Sequence, residues 1–91
     1  MVSVDLPHDA IVVLKTAIEN EKKLLKSKIA VYSSRLKEYE KKHGMTTDKF
    51  LKKFETGELG DEEQWFEWFA DADIRKELEN KIKVLEGIKL A

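Results

Sequence analysis

The sequence predicts an all-α protein: an antiparallel helical hairpin in which a short helix connects two long ones. Three observations predict it. Between Pro7 and Gly44 runs a stretch rich in Lys, Glu, Leu, Ala and Ile with no helix breaker. Apolar residues within that stretch recur every seven positions. The sole proline and the glycines at 44, 57, 60 and 87 divide the chain into three helical segments. The expected organisation is a single domain with a short extended arm over 1–7, a long helix over 8–43, a short helix over 46–56 and a second long helix over 61–86.

The arm reads as a strand, because Val2, Val4 and Leu6 alternate with Ser3 and Asp5 ahead of a proline. In the first helix, Asp9 suits the first turn and Lys41, Lys42 and His43 the last, and Gly44 supplies a left-handed stop. Its seam is Ile11, Ile18, Leu25, Tyr32 and Tyr39, joined by Leu14, Ile29 and Leu36. On a helical wheel these fall within about 80°. A second stripe, Val13, Ala17, Leu24 and Val31, runs beside the seam and stops at Val31. One intramolecular neighbour does not need that width, so a homodimer is expected through this stripe, as a four-helix bundle or helical dimer.

A threonine ahead of Asp48 caps the short helix, whose Phe50, Leu51 and Phe54 share a face. Gly57 ends it. Asp61-Glu62-Glu63-Gln64 reads as a capping box that opens the third helix, and Gly87 stops it. That helix carries two apolar stripes. Phe66, Ala70, Ile74, Leu78 and Ile82, with Leu85, form an i+4 ridge expected to pack on the first helix. Trp65, Trp68, Phe69 and Ala72 form a separate face that ends after Ala72.

At 91 residues the chain has a thin core of its own. With no cysteine it has no disulfide to help, no thiol catalysis and no Cys-based zinc site. No apolar run reaches the ~20 residues of a membrane span, and the N-terminus lacks the basic start and long apolar stretch of a signal peptide. A cytoplasmic location and no membrane contact are expected. The natural remedy for a thin core is self-association or a permanent partner.

Little in the sequence points to catalysis. His8 and His43 stand at opposite ends of the first helix, as helix-end residues rather than bases or ligands. Acidic clusters such as Glu62, Glu63 and Glu67 lack a histidine at matching spacing, and no P-loop, GxSxG or HExxH is present. No enzymatic activity, metal or cofactor is expected. A basic stripe on the first helix, Lys15, Lys22, Lys26, Lys37 and Lys41, is interrupted by Glu19 and Glu40 and has no aromatic to stack on bases, so it reads as a solvated face. Residues 2–7 followed by a helix resemble the opening of ribbon-helix-helix repressors, whose solvent-facing strand positions read DNA. Here those positions are Ser3 and Asp5, and an acid suits DNA poorly.

Charge is segregated. The net value is −1, from 17 basic and 18 acidic residues, but residues 1–53 carry +5 and residues 54–91 carry −6. Residues 54–74 hold eight acids, five aromatics and no Lys or Arg. One reading makes Trp65, Trp68 and Phe69 a small core with Phe50, Leu51, Phe54 and Leu59. The other leaves an edge such as Trp68 or Phe66 open, rimmed by acids. Carboxylates then steer a basic protein partner and flat rings supply contact area. On that reading the contact patch is Glu62, Trp65, Glu67, Trp68, Asp71 and Asp73, with Asp71 and Asp73 pairing with cations.

The run YEKKHGMTTDKFLKKFETGELGDEEQWFEWF, residues 39–69, resembles a stretch found in small bacterial and archaeal proteins that are often taken to be antitoxins of type II toxin–antitoxin pairs. The matching positions are Tyr39, Gly44, Met45, Thr46, Phe50, Phe54, Gly57, Leu59, Asp61, Trp65 and Trp68, and His43 stands where an aromatic is more usual. The resemblance implies a binding protein that occludes a small, basic, ribonuclease-like toxin. Two other readings stay open: a scaffold coiled-coil dimer with no dedicated site, and a DNA-binding autoregulator acting through residues 1–7.

Overall fold

In a computed structural model, which describes residues 2–90 and their side chains from Asp5 onward, the chain forms a rod of 56 × 22 × 17 Å. A three-residue strand, β1 (Val2–Val4), precedes helix α1 (His8–His43). Then come α2 (Thr47–Glu55), α3 (Glu63–Glu86) and a second strand, β2 (Ile88–Leu90). The protein is helical, with one minimal strand pair where its ends meet.

Helix α1 runs unbroken because nothing in it breaks a helix, and it sets the length of the rod. Asp9 lies in its first turn and Lys41, Lys42 and His43 in its last. Gly44 then takes φ +64° and donates its N–H to Glu40 O, a conformation that costs a side-chain-bearing residue energy. Two residues later, Thr46 accepts a hydrogen bond from the Lys49 N–H at 3.2 Å and starts α2.

The expected capping box at Asp61–Gln64 does not form. Helix α3 begins at Glu63, its cap residue is Glu62, and Glu62 makes no side-chain cap. Gln64 Nε2 donates instead to the Glu62 carboxylate. Helix α3 is continuous through Asp71-Ala72-Asp73. Beyond Gly87 the chain does not end in coil: Ile88–Leu90 pairs in parallel with Val2–Val4, Val2 opposite Ile88 and Val4 opposite Leu90. The extended arm is thus one half of a strand pair. The side chain of Ser3, a position weighed for base reading, lies outside the described residues.

Two apolar clusters hold α3 antiparallel along α1. The shaft cluster joins Leu25 to Leu78 and Ile82, with Ile29, Tyr32, Ile74 and Leu85 partly buried around them. The head cluster joins Leu36, Phe50, Trp68 and Ala72, surrounded by Tyr39, Met45, Leu51, Phe54, Leu59 and Trp65. Full burial of each large side chain in the head contributes about 2–3 kcal/mol.

The α3 ridge expected to run from Phe66 to Leu85 serves α1 only from Ile74 onward. Phe66 is 51% exposed, and Ala70 is exposed too. The reason is geometric. Successive i+4 steps drift by about 40° on a helix of 3.6 residues per turn, so a ridge of five residues winds away from its neighbour. At the head, α3 meets α1 through Asp71 and Trp68, and Trp68 also meets α2 through Phe50.

A candidate partner-binding surface on the acidic-aromatic head

The head is built around Trp68, which is fully buried. Its indole stacks on Phe50 with centroids 4.0 Å apart and planes 2° from parallel. Tyr39 and His43 also lie nearly parallel to it, at 5.5 and 5.4 Å. The indole Nε1–H donates to Thr47 Oγ1 at 3.2 Å, and the Thr47 N–H donates to Glu40 Oε2 at 2.7 Å. These bonds tie α3, α2 and α1 at one point. The His43 ring lies 4.7 Å from Trp65. Trp65 Nε1 and His43 Nε2 are buried without a hydrogen-bond partner among the described residues, so stacking and packing hold this edge.

Beside the stack lies a charged pair. Asp71 is 4% exposed, and Arg35 Nε lies 3.0 Å from its Oδ2, close in charge but not aligned as a hydrogen bond. The guanidinium also stands 5.3 Å from the centre of the Tyr32 ring. Burial pushes the Tyr39 phenol above its ordinary pKa, helped by the negative charges of Asp71 and Glu67, while Arg35 pulls it back.

This arrangement corrects the expected contact patch. Trp68 and Asp71 are sealed inside the subunit and offer a partner no surface. Asp71 already has its cation, in Arg35. Trp65 is half-buried, while Glu62, Glu67 and Asp73 are exposed. The exposed acids do not share a face. Glu62 and Asp73 lie on one side of α3, and Glu67 lies roughly 120–140° around the helix from them.

Of the two edges the sequence left as candidates for an open ring, Phe66 is the one that faces outward; what the sequence reading missed is that Phe69 joins it. Phe69 is 37% exposed and joins the half-exposed Phe66. Both pack on Phe54 of α2, Phe66 edge-on at 5.3 Å and Phe69 stacked at 4.9 Å. Phe66, Phe69 and Asp73 follow the spacing i, i+3, i+7, which places them in one stripe about 60° wide, and the cap residue Glu62 precedes Phe66 by about a turn. That spacing was the available signal. A depression of about 220 Å³ adjoins Phe69, lined by Leu51, Glu55, Ala72, Asp73 and Lys76. The site thus offers open rings, a shallow apolar hollow and carboxylates at its edge.

Among the described residues no three His or acidic side chains gather as metal ligands, and no helix is long and apolar enough to cross a membrane. Comparison of the chain with protein-family models, with curated proteins and with solved structures finds no match.

Proposed function

We propose that this chain is a protein-binding module, an antitoxin-like neutraliser of a basic ribonuclease-type toxin, and that it binds through the Glu62–Phe66–Phe69–Asp73 stripe. The observation that carries the reading is the open pair Phe66 and Phe69, seated on Phe54 beside a hollow edged by Glu55 and Asp73. A lysine or arginine side chain suits such a hollow, its apolar stem against Phe69 and its cation drawn to Glu55 and Asp73 in competition with the chain's own Lys76, which lines the same hollow. A ribonuclease must present cations to RNA, and an acidic, ring-bearing surface competes for them. The antitoxin element of the proposal rests on the resemblance of residues 39–69, most of whose positions build the head that displays the stripe.

A scaffold reading, in which two copies pair through α1, is favoured by the exposed stripe Val13, Ala17, Leu24 and Val31. The two readings are compatible, because the aromatic stripe lies at the head and the α1 stripe is centred well down the shaft.

Where the neighbouring gene encodes a small basic protein, titration calorimetry against it tests the proposal, and a neighbour of any other kind counts against the toxin reading. Phe66→Ala with Phe69→Ala is expected to weaken binding at least about 30-fold, roughly 2 kcal/mol. Glu62→Lys with Asp73→Lys should weaken it most at low salt, and Glu67→Lys, on the other flank, should change it little. Unchanged affinity in the double phenylalanine variant removes the stripe from the interface. A loss confined to Glu67→Lys moves the interface to the opposite flank.

A further inference from the structure

The chain exposes more surface than its mass calls for. Its accessible area is 6685 Å², against about 5,500 Å² for a compact monomer of 10.6 kDa. Its radius of gyration is 18.0 Å, against about 12 Å for a compact chain of this length. Part of that surface is apolar and collects on one side of the rod. Val13 is 67% exposed, Leu24 50% and Val31 56%, with exposed Ala17 between them. On α3, Val84 is 68% exposed. It lines a groove of about 340 Å³ with Leu25, Leu85, Glu21, Asn80 and Lys81, on the same side of the rod as Leu24.

We propose that the occupant of this face is a second copy of the chain, docked antiparallel about a two-fold axis through Leu24. The spacing specifies the register. Ala17 and Val31 each lie seven residues from Leu24, so the axis sets Leu24 on its own counterpart and the small Ala17 against the larger Val31 of the other copy. Charge favours the same choice. Glu21 then faces Ser27 and Lys28 of the second copy, while Asp9 comes within a turn of its Lys42. A parallel arrangement stacks Glu21 on Glu21 and Lys28 on Lys28, and it brings both basic C-terminal ends of α1 together. The antiparallel one also opposes the two helix dipoles.

From Val13 to Val31 the face is about 27 Å long at 1.5 Å per residue. Two helices wide, it covers on the order of 500 Å² per copy, near the low end for a specific dimer. A dimer in micromolar exchange is the expected result, and it is independent of any partner bound at the head.

The chain has no cysteine, so single replacements report the register directly. Oxidised Leu24→Cys is expected to give a covalent dimer. Val13→Cys is not, because its counterparts lie about 33 Å apart in this register, although Val13 is the more exposed of the two. Mixing Ala17→Cys with Val31→Cys should give the cross-linked pair. Leu24→Glu should sediment as a monomer with its helicity intact, since Leu24 lies outside both core clusters. Monomeric wild-type protein at several hundred micromolar overturns the proposal. Cross-linking of Val13→Cys as fast as Leu24→Cys overturns it too.

Discussion

Trp68→Ala is expected to cost about 3–5 kcal/mol, a large share of the roughly 5–14 kcal/mol available to a domain of this length. The indole is fully buried and packs against rings from both other helices, Tyr39 and His43 of α1 and Phe50 of α2. Alanine leaves a cavity between Phe50, Tyr39 and His43, and it also leaves the buried Thr47 hydroxyl without its donor. The shaft cluster of Leu25, Leu78 and Ile82 is untouched, so helicity in α1 and α3 should outlast the docking of α2. Urea unfolding followed by circular dichroism measures the loss. Trp68→Phe, which keeps a ring on Phe50 but not the hydrogen bond to Thr47, should fall between. A loss under about 1 kcal/mol for the alanine variant is incompatible with a head organised around this side chain.

The second large effect is an asymmetry within the Arg35–Asp71 pair. Asp71 is buried, whereas the Arg35 side chain is 54% exposed. Arg35→Ala strands a buried carboxylate and removes the cation beside Tyr32, and it should cost about 1–3 kcal/mol, less than a fully buried pair because solvent screens the exposed partner. Asp71→Leu frees a guanidinium that can turn into water, and an apolar side chain replaces a buried charge. Its cost should stay within about 1 kcal/mol. Chemical denaturation of the two single variants and the double variant measures the difference. A larger loss from Asp71→Leu than from Arg35→Ala reverses the assignment of which partner the fold strands.

Helices were legible in the sequence wherever a breaker or a period of seven marked them. Pro7 and Gly44 bound α1 because one cannot sit inside a helix and the other can adopt positive φ. The seam from Leu25 to Tyr39 turned inward as its spacing required. The head was harder to read because two neighbours, α1 and α2, compete for the first three turns of α3. Hydrophobicity places Trp65, Phe66, Trp68 and Phe69 on an equal footing, and only the angle between those neighbours decides that Trp68 goes in and Phe66 stays out. Asp71 misled for a similar reason: a carboxylate reads as surface unless the arginine that meets it, 36 positions earlier, is known to be there. The capping-box pattern at Asp61–Gln64 failed because the chain still bends at Asp61 and the extended Glu62, one residue later, takes the cap position. The pairing of β1 with β2 joins the two ends of the chain, and no local pattern announces a contact of that sequence separation.

Hydroxyl-radical footprinting read by mass spectrometry distinguishes the buried Trp68 indole from the open rings of Phe66 and Phe69 in a single experiment. Tryptophan is intrinsically the more reactive side chain, so exposure has to reverse the chemical order for the account to hold. The prediction is that Phe66 and Phe69 are oxidised in the folded protein while Trp68 is protected, and that protection is lost in urea. Oxidation of Trp68 as fast as Phe66 under native conditions contradicts it.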